Sequence, residues 1–182
     1  ESICYDEYYS IAMNEDIIDN VIYIGGFSKM FSVTGIRVGF LAAKKEKLDE
    51  IGKVHQYNVS CTNSIGQYGV LEGLKYGLYN VDYMKEEFIK RKSYVEERLR
   101  EMNMDFISPK GAFYIFPSIK KYNLKSELFC EKLLYEEKVA CVPGDAFGAG
   151  GEGYIRISYC YSHKELEEAW NRIEKFIKRY NK

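Results

Sequence analysis

Two short apolar runs that flank a glycine-rich turn constrain the fold more than any other feature. They are "VIYIGGFS" at residues 21–28 and "IRVGFLAA" at residues 36–43. Continuous β-branched and aromatic runs of this length indicate strands that are buried on both faces. The segment "ESICYDEYYSI" at residues 1–11 indicates a further strand running into a loop. Since helical patterns follow these strands, the sequence predicts part of an α/β sheet.

Three helical segments follow the predicted strands. The first two are "KKEKLDEIGKVHQYN" at residues 44–58 and "SIGQYGVLEGLKYGL" at residues 64–78. A long charged helix is predicted from Val81 to Asn103, and its length and charge suit a connector between two domains. The apolar residues on one face of this helix are Met84, Phe88, Val95, Leu99 and Met102.

Beyond the connector, the pattern predicts a small α+β domain. Strands are expected in "GAFYIFPSI", "VACVPGDAFG" and "YIRISYCY", and a helix in "KSELFCEKLLYEE". The last helix is expected to begin with a capping box formed by Ser162 and Glu165. Its predicted core stripe is Leu166, Ala169, Trp170, Ile173, Phe176, Ile177 and Tyr180. The predicted limits are therefore 1–80 for the first domain, 81–103 for the connector and 104–182 for the second domain.

Composition excludes several classes of function. The 26 Lys and Arg residues nearly balance 27 Asp and Glu residues, which gives a net charge of −1 and no basic footprint for nucleic acid or a membrane surface. No apolar run approaches the roughly 18 residues of a membrane span. The 5 scattered cysteines form no CxxC pair, which favours reduced thiols and a cytoplasmic location. Without a Cys or His cluster, no metal site is expected.

The turn between the two apolar runs, "GGFSKMFSVTGIRVGF", holds one lysine and one arginine eight positions apart, Lys29 and Arg37. A lysine in such an apolar turn is expected to be partly desolvated, which favours the neutral amine that forms Schiff bases. Hydroxyls and a guanidinium nearby suit a phosphate group. Taken alone, a Ser-Lys pair would indicate no more than a solvated surface turn.

The whole pattern S-K-x-F-S-x-T-G-x-R-x-G resembles the lysine segment of fold-type I pyridoxal-phosphate enzymes, specifically the class I and II aminotransferases. The resemblance implies that Lys29 holds pyridoxal 5′-phosphate through a Schiff base and that Arg37 binds its phosphate, with Ser28 adding a contact. The family often has a serine three positions before the lysine. Here that residue is Gly26, so one phosphate hydroxyl is missing.

Three more segments resemble the same family, in the same order along the chain. The segment "YDEYY" resembles the family's D-E-x-Y, which implies that Asp6 pairs with the pyridinium nitrogen and that Tyr9 hydrogen-bonds the ring 3-oxygen. Alone, this segment would indicate a turn at a strand end. The segment "PKGAFYIFP" resembles the start of the family's small domain, although a core strand would look the same. The segment "VPGDAFGAGGEGYIRIS" resembles the family's P-G-x-x-F-G…G-x-x-R-x-S, which implies that Arg156 binds the substrate α-carboxylate through a bidentate pair. Without this context, an arginine in a strand more often pairs with a structural acid.

The resemblance covers essentially the whole chain and implies its fold and function. The expected fold is the C-terminal part of the large aminotransferase domain followed by the small α+β domain. The expected activity is transfer of an amino group from an L-amino acid to a 2-oxo acid, in a homodimer. The family's glycine-rich phosphate loop, ring-stacking aromatic and Asn-Pro segment belong to an N-terminal half that this sequence lacks. We therefore expect a C-terminal fragment that is inactive in isolation.

Two alternatives share these motifs. A carbon–sulfur β-lyase uses the same lysine, aspartate, tyrosine and arginine roles. A non-catalytic aminotransferase-like effector domain, fused to a DNA-binding region, is the second alternative. The substrate amino acid is left open by the sequence.

Overall fold

The computed structural model describes residues 3–180, which form two compact units. The first unit is Glu1–Lys85 and the second is Glu86–Lys182, with the border inside a long helix. Helices and short strands alternate along both units, which confirms the predicted mixed α/β class. Among the described residues, none of the helices combines the length and the apolar character that a membrane span requires.

The first unit is built on a pair of antiparallel strands followed by helices. Strand β1 (Tyr23–Gly26) pairs with β2 (Gly39–Ala42), and the register sets Gly26 opposite Gly39. The helices are α1 (Phe27–Met30), α2 (Lys45–Val59), α3 (Ser64–Tyr76) and α4 (Leu78–Glu101), the last of which continues into the second unit. The predictions of α2, α3 and the long helix α4 are confirmed, with shifts of a few residues at their ends.

Glycines allow β1 and β2 to approach each other closely. A Cβ at Gly39 would lie 2.9 Å from the carbonyl oxygen of Gly25, and a Cβ at Gly25 would lie 2.4 Å from the Phe40 ring. That ring packs against Tyr23 at 5.6 Å and against buried Phe27 at 5.4 Å between ring centroids. Because Phe27 is the first residue of α1, this packing fixes the turn that carries Lys29.

Two expectations about the first strands are wrong. Glu1 and Ser2 lie outside the described residues, and residues 3–10 show only an isolated bridge at Cys4 instead of a strand. A strand needs a hydrogen-bonded neighbour, and within residues 3–180 β1 and β2 pair only with each other. Strand β1 is also not buried on both faces, since Ile24 is 76% exposed and no described residue covers it.

The second unit packs helices against a three-stranded antiparallel sheet. The strands are β3 (Tyr114–Ile115), β4 (Val142–Pro143) and β5 (Ile155–Ser158), in the order β3-β5-β4. The helices are α5 (Ser126–Glu137), α6 (His163–Lys178) and the second half of α4. The largest side chains of the core are Trp170, Tyr159, Phe129, Phe176, Leu99, Ile115, Ile155 and Ile173.

Helix α6 begins with the predicted capping box. The Ser162 hydroxyl accepts a hydrogen bond from the Glu165 backbone N–H at 3.4 Å, and the Glu165 carboxylate accepts one from the Ser162 N–H at 3.0 Å. These bonds satisfy two donors that a helix end otherwise leaves free. Five members of the predicted stripe are buried, whereas Ala169 and Tyr180 are half-buried.

The buried acid Glu137, at the end of α5, ties that helix to α6. Its side chain is 5% exposed and accepts hydrogen bonds from Lys175 at 3.1 Å and Arg179 at 2.8 Å. The Lys175 hydrogen bond, together with the charges of Lys175 and Arg179, lowers the pKa of this carboxyl group below its ordinary value. Charged groups in this unit therefore stabilise the packing of its helices.

Candidate functional site

The residues predicted around the lysine meet at a single side chain, Thr34. The Thr34 hydroxyl donates to the Ser28 carbonyl at 3.1 Å and lies 3.5 Å from Lys29 Nζ. The Arg37 guanidinium donates through Nη1 to the Thr34 carbonyl at 2.9 Å. The structure thus brings Ser28, Lys29 and Arg37 together in one loop, which we call the lysine loop (residues 28–37).

The backbone of the lysine loop is held in a costly conformation. Arg37 lies in the left-handed region, with φ 58° and ψ 51°, and Ser32 has φ 56°. This region costs a residue with a side chain about 1–2 kcal/mol. Such strain is typical of functional sites, where surrounding structure maintains it.

Asn63 supplies part of that support, although the sequence analysis did not single it out. Its Nδ2 donates to the Ile36 carbonyl at 2.9 Å, and its Oδ1 caps α3 by accepting from the Gly66 N–H at 2.6 Å. A Cβ at Gly66 would lie 2.7 Å from both Asn63 Oδ1 and the Ile36 side chain, so the close packing requires glycine. An asparagine just before a helical pattern is the signal that could have identified this cap.

Neither cation of the lysine loop is neutralised. No acidic side chain within residues 3–180 forms an ion pair with Lys29 or Arg37, and over the same range the Ser28 hydroxyl has no hydrogen-bond partner. The expected desolvation of Lys29 is wrong for the described structure, because Lys29 is exposed and no described residue covers it. An exposed amine, a guanidinium and a hydroxyl in one loop are suited to bind a phosphate monoester.

Asp6 and Tyr9 belong to the same unit but lie in an irregular segment. Both are exposed, and the Tyr9 hydroxyl donates to the neighbouring Glu7 carboxylate at 3.0 Å. No hydrogen bond within residues 3–180 joins Tyr9 to the lysine loop. The roles of Asp6 and Tyr9 toward a cofactor ring stay predictions.

Arg156 lies on β5 in the second unit. Its Cζ is 4.4 Å from the centroid of the Tyr114 ring and 4.7 Å from that of Phe147. No acid within the described residues forms an ion pair with it, so the structural acid partner considered for a lone strand arginine is not found there. The sequence analysis missed both aromatic neighbours, because they are separated from Arg156 along the chain and meet it only through the sheet.

The remaining reactive groups of residues 3–180 do not form a second constellation of this kind. All five cysteines are unpaired, and burial raises the pKa of Cys130 and Cys141 to about 12. Within the same range, no three His, Cys, Asp or Glu side chains are grouped so that they could hold a metal ion.

Comparisons with known proteins identify the family to which the chain is similar. The sequence profile of the family "Aminotransferase class I and II" matches residues 2–173. The chain is 42% identical to an aspartate aminotransferase of Pyrococcus abyssi, over 98% of this chain and 47% of that protein. It is also 42% identical to an aromatic-amino-acid aminotransferase of Thermococcus litoralis, over 98% of this chain and 47% of that protein.

A solved aminotransferase structure is also similar to this chain in its backbone fold. The aromatic aminotransferase of Pyrococcus horikoshii superimposes with a TM-score of 0.93 and 42% identity, covering 98% of this chain and 49% of that one. The chain therefore spans about half the length of the relatives it matches.

Proposed function

The chain belongs to the class I and II aminotransferase family, and from this membership we propose that the whole protein is a pyridoxal-phosphate-dependent aminotransferase. It would move an amino group from an L-amino acid to a 2-oxo acid. The observation that carries the proposal is the lysine loop, in which Lys29 and Arg37 sit together and no described acid pairs with either.

The donor set of the lysine loop fits pyridoxal phosphate. Arg37 offers a guanidinium to a phosphate dianion, and Ser28 offers a hydroxyl without a described partner. Lys29 Nζ lies in the same loop, as covalent attachment of the cofactor requires. We further propose, from the resemblance, that Asp6 holds the ring nitrogen protonated and that Tyr9 contacts the ring oxygen.

The proposed chemistry divides between the cofactor and the chain. When bound, pyridoxal phosphate supplies the electron sink that accepts the charge left at the substrate Cα. Lys29 Nζ acts as the general base that takes the Cα proton and later returns it. Arg156 binds the substrate carboxylate with its two parallel N–H groups and so orients the Cα–H bond.

Removal of the Lys29 amine tests the proposal. In the whole protein, Lys29→Ala should abolish both the long-wavelength absorbance of lysine-bound pyridoxal phosphate and turnover. Lys53→Ala, at an exposed lysine of α2, should change neither. Retention of either property in Lys29→Ala would refute the assignment. Formation of pyruvate and ammonia from cystathionine, without oxo-acid-dependent transamination, would instead indicate a β-lyase.

We also propose that the whole protein is a homodimer in the cytoplasm, with domain limits near those predicted from the sequence. Family membership supports the dimer, and the five unpaired cysteines are compatible with a reducing compartment. The substrate is not assigned, since relatives at equal identity are named for aspartate and for aromatic amino acids.

A further inference from the structure

The sheet of the second unit has one buried face and one open face. Along β5, Ile155 and Ile157 are buried, whereas Arg156 and Ser158 are half-buried. Successive strand side chains point to opposite faces, and the register sets Tyr114 opposite Ser158. Tyr114 and Arg156 therefore share the face that does not carry the core.

On this open face, the Arg156 guanidinium is enclosed by two aromatic rings. The guanidinium carbon lies 4.4 Å from the Tyr114 ring centroid and 4.7 Å from the Phe147 ring centroid. Both distances are in the range of favourable cation–π contacts. A guanidinium is planar and carries its N–H groups in its plane, and an aromatic ring offers it a π face but no carboxylate or carbonyl oxygen, so these two neighbours do not compete with an acceptor for the N–H groups.

The second ring is carried by a closely packed turn. Phe147 ends the 3₁₀ turn Gly144–Phe147, whose Gly144 N–H donates to the Tyr154 carbonyl at 2.9 Å, next to β5. A Cβ at Gly144 would lie 2.1 Å from the Gly151 carbonyl oxygen, so the turn packs directly on the following backbone. The Phe147 and Phe116 rings also pack in a T-shaped arrangement, with their centroids 5.9 Å apart. Phe147 is nevertheless 54% exposed, more than a side chain serving only the core would be.

We infer that Tyr114 and Phe147 are positioning residues that hold the Arg156 guanidinium flat and thereby set the site's affinity for a planar substrate carboxylate. This inference rests on the proposed function of Arg156. The two rings act through Arg156 and do not take part in the chemistry. Since neither ring carries a charge that competes for the guanidinium, the positive charge stays available to the substrate.

The test uses the whole protein loaded with pyridoxal phosphate. The variants are Phe147→Leu, the conservative Phe147→Tyr and Arg156→Ala. Tyr135→Leu is the control, because Tyr135 is exposed on α5 and the described rings that contact the Arg156 guanidinium are those of Tyr114 and Phe147. The probes are succinate and 3-phenylpropionate, each compared with its neutral amide, with dissociation constants from calorimetry and KM and kcat from transamination.

Phe147→Leu should weaken carboxylate binding by about 3- to 10-fold, as expected for the loss of one cation–π contact. It should raise KM with little change in kcat and leave the amides unaffected. Phe147→Tyr should retain wild-type affinity, and Tyr135→Leu should match the wild type. In an Arg156→Ala background, Phe147→Leu should have no further effect, because its influence passes through Arg156.

Two results would overturn the inference while leaving the proposed function intact. The first is that Phe147→Leu binds the carboxylates as tightly as the wild type does, although Arg156→Ala has lost this affinity. The other is an equal loss for acids and amides, which would indicate a general packing defect. If Arg156→Ala itself keeps wild-type carboxylate affinity, the proposed role of Arg156 fails first and the inference fails with it. As a readout independent of ligand, the ring-current shifts of the Arg156 side-chain protons should decrease in Phe147→Leu, and unchanged shifts would also refute it.

Discussion

The left-handed backbone of Arg37 allows stability and cofactor binding to be separated with two substitutions. Arg37→Ala and Arg37→Gly both remove the guanidinium and its hydrogen bond to the Thr34 carbonyl, so that loss cancels between them. They differ at the backbone, where φ is 58°. Alanine bears a strain of about 1–2 kcal/mol there, whereas glycine bears none but loses about 0.4–1 kcal/mol more through unfolded-state entropy. We therefore expect the free energy of unfolding of Arg37→Gly to be about 1 kcal/mol larger than that of Arg37→Ala.

The measurement is the free energy of unfolding of the cofactor-free protein in urea, compared with titration of pyridoxal phosphate. Both variants should lose cofactor affinity to the same extent, about 10- to 100-fold for one charged hydrogen-bonding group. Lys53, inside α2, is the matched control. There Ala should be more stable than Gly by about 1 kcal/mol, because right-handed helix disfavours glycine.

An alanine variant more stable than the glycine variant by about 1 kcal/mol, as expected at the helical control Lys53, would show that Arg37 is not left-handed in the protein. Unequal cofactor affinities of the two variants would show that the backbone, and not the guanidinium, determines phosphate binding. Either result would refute the reasoning, and the two results are distinguishable from each other.

Three further predictions concern other parts of the chain. Ser162→Ala should lower the free energy of unfolding by about 1 kcal/mol through loss of the α6 cap, measured by urea unfolding with Ser93→Ala as an exposed control. The hydrogen bond from Lys175 lowers the pKa of Glu137 in the folded protein. The resulting stabilisation should therefore be full above the ordinary value of 4.5 and be lost as pH falls through the lower folded value. A difference in the free energy of unfolding between the wild type and Glu137→Gln that does not shrink toward acid pH would contradict this. Gly26→Ser should fold normally, since a Cβ at this position meets nothing within 4 Å and the backbone is extended. The added hydroxyl should tighten pyridoxal phosphate binding by up to about tenfold.

Features that depend on neighbouring residues in the chain were predictable from the sequence. The capping box of α6 needs only Ser162 and Glu165, three positions apart, and the structure shows both of its hydrogen bonds. The apolar face of the long connector helix follows from helical periodicity. Four of its five predicted members are buried, and one of these, Met102, lies just beyond the end of α4. Lys29 and Arg37 were identified together because one short loop carries both.

Features that depend on pairing between distant segments were not predictable. The expected strand at residues 1–11 had the right composition, but strand formation requires a partner, and the described residues provide only a bridge at Cys4. The exposure of Ile24 likewise depends on what packs over β1. The rings around Arg156 come from β3 and from the turn after β4, so only the sheet register brings them to one guanidinium.

The buried acids of this chain and the three cations proposed to bind ligands differ in how their charges are paired. The buried acid Glu96 accepts hydrogen bonds from Ser108 at 2.6 Å and Arg100 at 3.0 Å, and Glu137 is bound by Lys175 and Arg179. A buried carboxylate needs such partners, because an uncompensated charge is costly away from water. A cation that must bind an anionic ligand has the opposite requirement, since an intramolecular carboxylate would compete with the ligand for the same N–H groups. Lys29, Arg37 and Arg156 meet this second requirement within residues 3–180, where none of them has an acid partner. Introduction of a carboxylate beside any one of them should therefore reduce ligand affinity more than it changes the stability of the fold.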